Sequence, residues 1–106
     1  MTNSQAIQSF AEQIVRGFHP SRIVLFGSHA VGCATDDSDV DLLVEMPLVG
    51  TGLGTAARIV RETKPAFAVD LIVRTPEQVQ TRLHLGDRFM ANILQTGKVL
   101  YETDHR

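Results

Sequence analysis

At 106 residues, 43% apolar and 21% charged, the chain is the size of one domain (1–106) and can bury a core, which excludes a disordered or fibrous protein. Ten Lys+Arg against twelve Asp+Glu give a formal net charge of -2, without the basic excess of a protein that grips long nucleic acid. There is no basic leader and no apolar run long enough for a membrane span, and Cys33 is the only cysteine, so the sequence predicts a cytoplasmic protein without an internal disulfide.

Ile7, Phe10, Ala11, Ile14 and Phe18 recur at the spacing of one helical face, and Gly17 and Pro20 end the pattern. "RIVLFG" (22–27) is short, β-branched and closed by Gly27, which predicts a strand; a Gly-Ser turn follows, leading into a short helix, and "DVDLLVE" (39–45) predicts a second strand. After a loop with Pro47, Gly50 and Gly52, residues 53–64 read as a helix through Leu53, Ala56, Ala57 and Val60, stopped by Pro65. "FAVDLIV" (67–73) predicts a third strand. Thr75 is placed as a helix N-cap, with Pro76 in the first turn and Gln78 positioned to complete a capping box. Phe89, Ile93 and Leu94 mark a further helix ended by Gly97, and "KVLYE" (98–102) reads as extended.

That map decides where the carboxylates point. Side chains alternate along a strand, so Asp39 and Asp41 share one face, about 6.6 Å apart along the backbone, while Val40, Leu42 and Val44 take the other. One face is expected to be core and the other acid. In the third strand Phe67, Val69, Leu71 and Val73 form an apolar series that leaves Asp70 on the opposite face. If the two strands are neighbours, three carboxylates converge, which is tolerable only if they share protons or a cation. Hard oxygen donors without nearby imidazole or thiolate pairs suit Mg²⁺ or Mn²⁺. Gly27 lets the backbone approach a ligand closely, the amides of a turn entering a helix cradle phosphate, and Ser28 adds a hydroxyl donor. A phosphate cradle beside metal-binding carboxylates is what a bound nucleoside triphosphate requires.

"LFGS", ten residues, then "DVDL" resembles the signature of the polymerase-β-like nucleotidyltransferase superfamily. More narrowly, "GSxAxG…SDxDLLV", the third acid in "VDLIV" and the ending "ILQTGKVLYE" resemble the minimal nucleotidyltransferases (MNT), the antitoxin-type proteins of prokaryotes. The resemblance implies an α/β (α+β) fold, a small mixed sheet flanked by helices. It also implies that Gly27 and Ser28 bind the nucleotide, Asp39 and Asp41 bind Mg²⁺ or Mn²⁺, and Asp70 is the third carboxylate, serving as metal ligand and as base toward the acceptor hydroxyl. The activity implied is transfer of AMP from ATP to a hydroxyl, with a tyrosine of a HEPN-domain toxin as acceptor. The chain would then be the antitoxin of a type VII-like toxin-antitoxin pair and form a hetero-oligomer with its partner.

Two positions depart from that pattern. His29 and Val31 stand where family members often carry arginine, which removes two contacts to the triphosphate; Arg58, Arg61 and Arg74 are the alternative sources of positive charge. The second reading is therefore a catalytically weak MNT domain that neutralises its HEPN partner by binding alone. A third, transfer to a small molecule such as an aminoglycoside, lacks the additional helical elements such enzymes carry. Asp36 and Asp37 read as loop residues, Cys33 as an inert loop cysteine, His19, His84 and His105 as surface residues, and Tyr101 as an anchoring aromatic.

Overall fold

A computed structural model describes residues 3–103. Helix α1 (Ser4–Phe18) starts where the Asn3 side chain accepts the Ala6 N–H, and buries the expected face of Ile7, Phe10, Ala11 and Ile14. Gly17 does not stop it: the helix runs through to Phe18 and ends at His19, whose left-handed backbone turns its N–H onto the Val15 carbonyl. Strand β1 (Arg22–Phe26), the single turn α2 (Ser28–Val31) and strand β2 (Val40–Glu45) follow. Helix α3 (Gly52–Thr63) then carries the chain back so that β3 (Val69–Arg74) can lie parallel to β2. Helix α4 (Pro76–His84) opens with the capping box read from the sequence. The Thr75 hydroxyl accepts the Gln78 N–H and the Gln78 side chain accepts the Thr75 N–H, both at 3.0 Å. Helix α5 (Arg88–Thr96) leads directly into β4 (Lys98–Glu102).

The four strands form one mixed sheet in the order β3-β2-β1-β4, with β1 antiparallel to both β2 and β4. One face carries α1 and α3 over Ile23, Leu25, Val40, Leu42, Val44 and Val73, and Phe67 closes it with an edge-to-face contact to Phe10. The other face was expected to be acid. It is acid at one end only: Val24, Phe26 and Leu43 lie on it and are buried beneath Val79 of α4 and Met90 and Ile93 of α5. Leu43 therefore interrupts the simple inside-outside alternation, because a sheet covered on both faces needs apolar residues on both.

One other sequence expectation is corrected, that for the buried face of α3. Helix α3 buries Ala56 and Ile59, while Leu53, Ala57 and Val60 are exposed; the helix rests on β3 and α1 by a narrower face than its apolar residues outline. Gly97 does end α5, but with extended backbone and not the left-handed turn usual for a terminating glycine. Space is what it supplies there, since a Cβ would collide with the Ile93 carbonyl and come within 2.6 Å of Val24 Cγ1.

At the end of the sheet formed by the start of β1 and the end of β2, Glu45 is buried and ion-paired to Arg22. Removing only the cation strands a buried carboxylate. Arg22→Met should cost about 3 kcal/mol, lowering the melting midpoint by roughly 10 °C or more, while Arg22→Met/Glu45→Leu should recover most of the loss. Equal midpoints for the single and double variants would show that the pairing is not the cause.

Candidate active site

The opposite end of the strands gathers the residues singled out in the sequence. Asp41 is the cross-strand partner of Phe26 on β1 and lies in register with Asp70 on β3, so Asp41 and Asp70 stand side by side on the same face of the sheet. Asp39 precedes β2 by one residue, at the mouth of the loop 32–39. That loop is fixed by an internal turn. The Ser38 hydroxyl accepts the Thr35 N–H at 2.9 Å, and the Ser38 N–H donates to the Thr35 carbonyl.

Gly27 links β1 to α2 with φ 74° and ψ -155°, a conformation essentially restricted to glycine. Its missing side chain has a second consequence: a Cβ would run into the Asp41 carboxylate, so the turn passes directly over that acid. Ser28 begins α2 and is half-buried, and the Gly27 carbonyl takes the N–H groups of Ala30 and Val31.

The Asp41 carboxyl is held above the usual carboxylate value, first by burial and then by the negative charges of Asp70 and Asp39. The charge of His29 opposes the shift, which places that ring within electrostatic reach of the acids; its Nε2 also lies 3.3 Å from the Ser38 carbonyl. His29, read from the sequence only as a replacement for arginine, is thus the basic residue near Asp41. Its nearness was not legible from a spacing of twelve residues, because a turn and a loop intervene.

Among the described residues, no three histidine, cysteine or acidic side chains are arranged to hold an ion by themselves. The full three-way convergence expected from the sequence is therefore reduced to a close pair with a third acid nearby. Like-charged carboxylates lower their energy by standing apart. The donor set nevertheless fits Mg²⁺, which keeps several waters and is bound by one or two carboxylates together with substrate phosphates, not by an all-protein cage.

None of the three arginines considered as substitutes is placed both at this end of the sheet and on the acids' face. Arg58 pairs with Glu62 at 2.7 Å and lies over the Phe18 ring, and Arg61 shares α3 with it, on the far side of the sheet. Arg74 stands at the other end of β3, about 13 Å along the strand from Asp70. Val31 is exposed, as are Asp36, Asp37, Cys33, His19 and His84, whereas Tyr101 packs against the core and His105 lies outside the described residues. A cavity of about 660 Å³ lined by Arg22, Glu45, Pro47, Pro76 and Glu102 opens at the end of the sheet away from the acids. No helix among the described residues is long and apolar enough to cross a membrane.

A comparison with curated proteins found no match. Solved structures share the fold, among them the following two. One is a Sulfolobus solfataricus protein provisionally described as a nucleotidyltransferase, with 19% identity, TM-score 0.63, and 92% of this chain and 78% of that one covered. The other is described as a toxin-antitoxin with AMP-PNP, with 20% identity, TM-score 0.61, and coverage of 92% and 74%. At such identities the likeness is one of fold. The family model for the nucleotidyltransferase domain, however, matches residues 7–97, from the first buried residue of α1 to the glycine that ends α5, and the chain belongs to that family.

Proposed function

We propose that the protein transfers AMP from ATP to a hydroxyl, using Mg²⁺ or Mn²⁺ bound jointly by the phosphates of the nucleotide and by carboxylates of the Asp39, Asp41 and Asp70 set. The observation that carries this reading is the placement of Asp41 beside Asp70 directly under the Gly27–Ser28 turn. The turn amides and the Ser28 hydroxyl would bind the phosphates, and the carboxylates would orient the nucleotide through the metal. When bound, the metal supplies charge neutralisation at the phosphates and lowers the cost of ionising the acceptor. Asp70 would take the acceptor proton as the acceptor oxygen bonds to the α-phosphorus. The bond from that phosphorus to the bridging oxygen breaks, and pyrophosphate leaves.

The resemblance to MNT antitoxins supports a tyrosine of a HEPN-domain toxin as the acceptor and an antitoxin role, and the toxin-antitoxin neighbour is in keeping with it. Incubation with such a partner, ATP and Mg²⁺ should add the mass of one adenylyl group per modified site to the intact partner, and Asp39→Ala/Asp41→Ala should abolish the addition. The exposed Val31 on α2, bearing no charge, favours the second reading, neutralisation by contact alone. Full neutralisation by the double variant, with no mass change under wild type, would establish that reading and end the catalytic one.

A further inference from the structure

The aromatic pair beside the acids has no part in the chemistry above. Helix α5 buries Met90 and Ile93, and Phe89, one residue off that face, is 56% exposed. Its ring is nevertheless fixed, edge-to-face on Phe26 with centroids 5.8 Å apart and planes at 85°. Phe26 is itself buried among Val24, Leu43 and Met90, and it is the cross-strand partner of Asp41. Directly opposed residues of an antiparallel pair project to the same face, so Phe89 is braced over the face that carries the acids.

Strand order then assigns it a side. Asp70 on β3 lies on one flank of Asp41; Phe26, with the Gly27–Ser28 turn that follows it, lies on the other. The acceptor is expected on the Asp70 flank and the nucleotide on the turn flank. We propose that Phe89 is the platform on which the nucleobase stacks, an inference that rests on the nucleotidyl-transfer reading of the site. Stacking scales with the overlapping ring area and reads no hydrogen-bonding edge, so the platform favours purines over pyrimidines without separating adenine from guanine.

Isothermal titration with Mg²⁺-ATP, Mg²⁺-CTP and Mg²⁺-tripolyphosphate, on wild type, Phe89→Ala and Phe89→Trp, tests this. Phe89→Ala should weaken ATP binding about tenfold, weaken CTP binding less, and leave tripolyphosphate unchanged; Phe89→Trp should restore ATP. An equal loss for ATP and tripolyphosphate, or no rescue by tryptophan, would mean that the ring only shapes the site and would overturn the proposal. So would unchanged ATP affinity in Phe89→Ala, including the case in which that variant loses a protein partner instead. If wild type binds ATP and Phe89→Ala binds it equally well, the platform alone fails. If wild type binds no Mg²⁺-ATP, the transferase reading fails and the platform with it.

Discussion

Asp41→Asn should abolish nucleotidyl transfer and, at the same time, raise the melting temperature of the ligand-free protein. The first effect follows from losing an anionic ligand at the point where negative charge must be neutralised; several kcal/mol of transition-state stabilisation correspond to about 10³-fold or more in rate. The second follows from what Asp41 costs the fold. Its carboxyl is half-buried and faces Asp70 and Asp39, and its proton affinity is raised above the ordinary value of 3.8. The folded state therefore binds that proton more readily than the unfolded chain does. This group's destabilisation is absent below the ordinary value, grows as pH rises from there through the raised value, and is complete at neutral pH. An uncharged amide of the same shape removes it. The gain is small, because the carboxyl is only partly buried and solvent screens its neighbours. A plot of melting temperature against pH for both proteins checks the sign: the difference should close toward pH 4. A variant less stable than wild type at pH 7, or one retaining activity, would show that Asp41 is a structural residue and not a strained ligand.

Gly27→Ala should lower both the stability of the fold and its capacity to bind nucleotide. Two costs coincide at that position: a backbone conformation reserved for glycine, and a Cβ directed into the Asp41 carboxylate. Each is of the order of 1–3 kcal/mol, so a loss of at least about 2 kcal/mol, or roughly 8 °C, is expected, together with loss of nucleotide binding. The two costs separate in a double-mutant cycle. Asp41→Gly removes the obstructing carboxylate, so Gly27→Ala should be less damaging in that background, and what remains measures the backbone strain. Strict additivity of the two substitutions would mean that the turn does not pass over Asp41.

The sequence by itself determined the elements and most of their punctuation. The 3.6-residue spacing of Ile7, Phe10, Ala11 and Ile14, the Thr75-Pro76-Gln78 start of α4 and the "KVLYE" strand are local patterns, and local geometry is enough to produce them. The same holds for the chemistry-bearing types: Gly27, Ser28, Asp39, Asp41 and Asp70 stand out by residue identity and spacing alone. Tertiary structure decided which of them meet. The pairing of β2 with β3 is contributed by residues nearly thirty positions apart, and it is this register that sets Asp41 beside Asp70. Long-range contact also decided that α3 rests on Ala56 and Ile59, since a helix with apolar residues on several sides takes the face its neighbours can fill. The acid face likewise became half core because α4 and α5 return over it, burying Leu43 and leaving Phe89 propped on Phe26. Alternation within a strand assigns a side chain to one of two faces, but what covers each face, and which strand lies next to it, is fixed only by the packing of the whole chain.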